Sequence, residues 1–82
     1  MPGSVSATLS EYAVQQRLRP PDGSDLSTGI GRCQAQARTL VIAAYAISEG
    51  CRVELASEPG RALSESEAAV AVLAGHPLVV VE

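Results

Sequence analysis

Two cysteines, one histidine and nine acidic residues are the side chains best suited to covalent, metal or acid–base chemistry in this 82-residue sequence. His76 falls between Gly75 and Pro77, where a helix should stop. A zinc site would need Cys33 and Cys51 to converge on it, yet neither belongs to a Cys-x-x-Cys or His-x-x-x-His spacing. A cysteine nucleophile with His76 as base is also disfavoured. Cys33 is expected on the apolar stripe of a helix and Cys51 on the apolar face of a strand, where thiols are usually inert. Glu65 and Glu67 sit in the first turn of a short helix, where negative charge favours the macrodipole and Ser64 with Glu67 forms a capping box. Glu54 stands beside Arg52 on the polar face of a strand, a pattern that suits a cross-strand ion pair better than an acid or base. No catalytic residue, metal ligand or cofactor is therefore assigned, and a non-enzymatic chain is expected.

Two binding patterns remain. Gly29, Gly31 and Arg32 open the longest helix, and glycines at a helix start with an arginine nearby can cradle an anion or nucleotide phosphate. Against this, the pattern is neither GxGxxG nor GxxxxGK, and Asp22 and Asp25 place negative charge close by. Residues 29–38, GIGRCQAQAR, resemble the start of the last helix of double-stranded RNA-binding domains. The lysine pair of that family and the strand meander before its last helix have no counterpart here, so the resemblance implies no function for this chain. The second pattern is a patch of Arg17, Arg19 and Arg52 with Glu54, expected on the polar faces of two strands. Arginine favours protein interfaces, whereas RNA-binding sheets add stacked aromatics that this face lacks. A protein partner is the first expectation for the patch and nucleic acid the lesser one.

These residues need elements to position them. Residues 1–8 are small and polar and read as a flexible arm. From Glu11 to Arg19, Tyr12, Val14, Gln16 and Leu18 alternate with Glu11, Ala13, Gln15, Arg17 and Arg19, which predicts a strand ended by Pro20 and Pro21. A long helix follows over 28–49. Its expected core stripe is Ile30, Cys33, Ala37, Leu40, Ala44 and Ile47, with Gly50 as its left-handed stop. Because residues 40–47 are apolar nearly all round, that helix wants cover on more than one side. Residues 51–57 alternate as a half-buried strand, and 61–63 form a short return strand or a loop. Residues 68–74 form the body of the capped helix, and residues 78–81 form a closing strand buried on both faces.

The resulting order predicts an α+β, two-layer domain with a three- or four-stranded sheet and two helices on one face. Strands side by side in parallel would need right-handed crossovers. With the return strand the plan is ferredoxin-like.

Composition narrows function by exclusion. The chain is 46% hydrophobic and 18% charged, too apolar for a disordered tail and sized for one domain spanning 1–82. A net charge of −3 gives no basic field for polyanions. The first residues show no signal peptide, and the longest apolar run is too short to span a bilayer, so a cytoplasmic address is expected. The lack of Lys beside six Arg suggests a GC-rich coding genome, bacterial or phage. Small cores give limited stability, which makes a homodimer or permanent partner a sensible supplement. The expected role is a regulatory, protein-binding module of the inhibitor, antitoxin, anti-defence or accessory-subunit type. The alternative is a ligand sensor using Gly29, Gly31 and Arg32.

Overall fold

The computed structural model describes residues 6–18 and 29–82. Its elements are β1 (Ser6–Thr8), α1 (Leu9–Gln15), α2 (Gly29–Ser48), β2 (Arg52–Leu55), α3 (Glu65–Leu73) and β3 (Leu78–Val81). The sheet has the order β1-β3-β2 and is antiparallel throughout. Ser6 lies opposite Val81 and Thr8 opposite Val79, while Val53 lies opposite Val80 and Leu55 opposite Leu78.

The first turn of the fold differs from the expected strand. Thr8 Oγ1 accepts the Glu11 N–H at 3.2 Å and Glu11 Oε1 accepts the Thr8 N–H at 3.0 Å, a reciprocal cap that starts a helix. Leu9, Tyr12 and Ala13, at helical spacing, then enter the core and leave Val14 outside. The alternation from Glu11 onward is real in the sequence, but helical spacing buries more of it. Ser6–Thr8, expected within the flexible arm, pair with β3 as an edge strand, and residues 1–5 lie outside the described residues.

All three helices end alike. The N–H groups of Gly50 and Cys51 reach the Ile47 and Ala46 carbonyls at 3.0 Å, and those of Gly75 and His76 reach Val72 and Ala71 at 3.0 and 2.9 Å. This is the Schellman pattern, with glycine at φ 90° and 81°. At the end of α1 the same role falls to Arg17, at φ 57°, with its N–H on the Val14 carbonyl and the Leu18 N–H on that of Ala13.

Antiparallel pairing replaces the parallel crossover. Residues 61–63 do return along β2, but only as a bridge between Glu54 and Ala62, with the Leu63 N–H on the Val53 carbonyl at 2.8 Å. That extra reversal sends α3 back along the sheet, so β3 comes in against β2. Val53, Leu78 and Val80 share one sheet face and pack with Leu9 and Tyr12, with Ala43 and Ala46, and with Ala68, Ala71 and Val72. One sheet layer thus carries three helices, one more than expected.

The buried line of α2 is rotated from the expected stripe. Ala43 and Ala46 are fully buried and Ile42 and Ile47 pack at the core margin, whereas Cys33 and Ala37 are exposed. Periodicity cannot choose a face where nearly every position is apolar. Alanine decides it here, because its small side chain lets α2 approach both sheet and α3 closely.

Candidate protein-interaction surface

The expected arginine face does not assemble. Arg17 follows α1 in the left-handed turn rather than projecting from a strand, so it does not share a sheet face with Arg52, and Arg19 lies outside the described residues. Arg52 is exposed and its Nε lies 3.6 Å from Glu54 Oε2. Glu54 is itself only 3% exposed, not solvated as expected. Its Oε1 accepts the Gly60 N–H at 2.9 Å, so the carboxylate anchors the 56–60 turn over the outer sheet face, while Oε2 has no hydrogen bond. The pair is a structural tie.

The anion pattern is partly placed. Gly29 begins α2, Gly31 is buried, and Arg32 is exposed. Arg32 shares the lining of a shallow cleft of about 360 Å³ with Ser10, Gln36, Thr39 and His76. Among the described residues no group of three or more His, Cys, Asp or Glu is placed to hold a metal ion. Both cysteines are free thiols, Cys33 exposed and Cys51 half-buried with its Sγ 4.0 Å from the Tyr12 hydroxyl. Burial, then the neighbouring Cys51, pushes the Tyr12 hydroxyl up to about 12.

The most distinctive surface lies on the helices. Leu40 and Ala44 of α2 line a groove with Glu65, Ala68 and Ala69 of α3, whereas Arg32 and Gln36 share their cleft with Val72 and Gly75. The two helices therefore run antiparallel. On α2 Val41 and Tyr45, one turn apart, are 66% and 37% exposed. On α3 Val70 and Leu73 are 68% and 71% exposed. Val70 also borders a groove with Leu55, Leu63 and His76, rimmed by Arg61 and Glu67. Single exposed apolar residues are ordinary, but four on two packed helices make these outer faces the candidate surface.

The polar rim is held in place. Arg61 bridges Glu67 at 2.8 Å and Glu58 at 3.4 Å. The Ser64 N–H binds Glu67 Oε1 at 3.0 Å, and this bond, with the Arg61 charge and the Ser64 hydroxyl, holds the Glu67 carboxyl below its usual range. Sequence reasoning missed Val70 and Leu73 as surface residues, and nothing local distinguishes them from core positions on an apolar helix. The cap of α1 was detectable, because Thr8-Leu9-Ser10-Glu11 repeats the spacing of Ser64 to Glu67.

Compared with protein-family models, curated proteins and solved structures, the chain matches none. Among the described residues no helix is long and apolar enough to cross a membrane.

Proposed function

We propose that this chain is a non-enzymatic, regulatory protein-binding module, acting through the apolar side chains on the outer surfaces of α2 and α3. The observation that carries this reading is the exposure of Val41, Val70 and Leu73, each above 60%, in a chain whose described core contains few large side chains. A stable globule gains by burying such residues, at about 1.5–3 kcal/mol each when fully covered. An inhibitor, antitoxin or accessory subunit covers them by docking a partner. The test is capture on immobilised protein from a lysate of the native host, with Val70→Glu/Leu73→Glu as the folded control. A protein retained by the natural sequence and lost with the variant supports the reading, and equal recovery on both refutes it.

A second reading rests on a different observation, the shared lining of one cleft by Arg32, Ser10, Thr39 and His76. An anion such as a nucleotide phosphate would find the Arg32 guanidinium, the Ser10 hydroxyl and the His76 imidazole there, the Thr39 hydroxyl being donated to the Ala35 carbonyl at 2.9 Å. Phosphate or nucleotide at 100 times its dissociation constant should stabilise the fold by about 2.7 kcal/mol, and Arg32→Gln should remove that gain. No shift with any anion removes this reading.

A further inference from the structure

The outer face of α2 carries a self-complementary arrangement. Val41 and Tyr45 are mirrored about the height of Ala43 and both are exposed. Arg38 and Glu49 are mirrored about nearly the same height, on one flank of the same stripe, because they are about three turns apart. On the opposite flank Ala37, Ala44 and Ser48 are small. The charges also run against the helix macrodipole: α2 has no acidic residue in its first turn and no basic residue in its last, while Arg32 and Arg38 occupy its N-terminal half and Glu49 follows its C-terminal end.

We infer that the occupant of this face is a second copy of the chain, packed with its α2 antiparallel across a two-fold axis at the height of Ala43. Such an axis makes residue i meet j and j meet i. Val41 then faces the partner copy's Tyr45, twice. Each Arg38 meets a Glu49 across the axis, and each helix end faces the opposite pole of the other dipole. A parallel copy would instead set Arg38 near Arg38 and Glu49 near Glu49. Small residues on the other flank allow close approach of the backbones. Arg38 already makes a polar interaction within its own chain. The inference rests on the preceding reading only in taking the exposed apolar face of α2 as a contact surface; it leaves Val70 and Leu73 to a different protein.

Sedimentation equilibrium over about a hundredfold concentration range tests it. The expected mass approaches twice the 8.4 kDa of one chain at the top of the range and falls on dilution. Val41→Glu should give the single-chain mass with an unchanged circular dichroism spectrum. Glu49→Arg and Arg38→Glu should each weaken association at least about tenfold, since each homodimer then sets like charges together. Mixing the two variants should restore association, because the mixed pair regains both opposite-charge contacts. Should Arg38→Glu fail to fold, Arg38→Gln mixed with Glu49→Gln replaces the pair, and both must then be weaker than the natural chain and insensitive to salt. A single-chain mass at every concentration overturns the inference, as does a doubled mass that survives Val41→Glu. A natural chain that is monomeric but retains a host protein through Val70 and Leu73 overturns the second copy alone. A dimer that captures nothing overturns the partner reading alone.

Discussion

Removing the hydroxyl of Tyr12 should cost almost nothing, although the residue is the largest fully buried side chain among the described residues. Tyr12 is 2% exposed and packs in the core between α1, α2 and the sheet. The contact at its hydroxyl is the Cys51 thiol at 4.0 Å, the outer limit for a sulfur hydrogen bond. A well-made buried hydrogen bond contributes about 0.5–1.5 kcal/mol, but this one offsets little of the hydroxyl's desolvation. Tyr12→Phe is therefore expected to change stability by less than about 0.5 kcal/mol. Tyr12→Ala, which empties a ring-sized space, should lose about 3–5 kcal/mol and unfold much of the population.

The same burial fixes an alkaline response. The pKa rises from 10.0 to about 12 on folding, so between those values the unfolded chain has released a proton that the folded chain still holds. Stability is intact below pH 10 and falls as pH rises towards 12, by a few kcal/mol at most. The difference between the natural chain and Tyr12→Phe in urea unfolding at pH 8–11.5 measures this slope, which Tyr12→Phe should abolish. Tyrosinate absorption in a Tyr45→Phe variant reports Tyr12 directly. An equal slope with Tyr12→Phe, or a loss above about 1.5 kcal/mol from that substitution at pH 7, would refute the placement of Tyr12 in a dry core.

Three further outcomes follow from the helix ends and the capping acid. Arg17→Gly should stabilise the chain by about 1 kcal/mol, because glycine adopts φ 57° without the penalty an L side chain carries there, and thermal unfolding reads the gain. Ser64→Ala should destabilise by about 1 kcal/mol through loss of the α3 cap, with the chemical-denaturation midpoint falling at unchanged slope. Since the Glu67 carboxyl is lowered on folding, its contribution is present above the ordinary value of 4.5 and is lost as pH falls below it. Glu67→Gln should flatten that part of the acid-unfolding profile.

How legible the fold was depended on whether a segment had punctuation of its own. The helix after Ser64 was readable because its cap, its acidic first turn and its Gly75 stop agree, and β3 because four consecutive apolar residues close the chain. Residues 9–15 carried equal punctuation in Thr8 and Glu11, but the alternating pattern around Tyr12 and Val14 competed with it, and only tertiary burial decides between them. The rotation of α2 was not readable, since its second half offers an apolar face in every direction. Antiparallel pairing turned on one bridge at Ala62, a feature below the resolution of any sequence pattern. The candidate surface suffered from the same ambiguity: exposure of Val70 and Leu73 follows from which face of α3 meets α2, a property of packing and not of spacing.

The central claim is that the outer side chains of α3 meet another protein. Photocrosslinking in the native host tests it most directly, with p-benzoylphenylalanine placed at position 73 and, as the reference, at position 15 on the exposed end of α1. The account predicts a discrete adduct with a second protein from position 73 and none from position 15. No adduct from either position, or the same adducts from both, would contradict it.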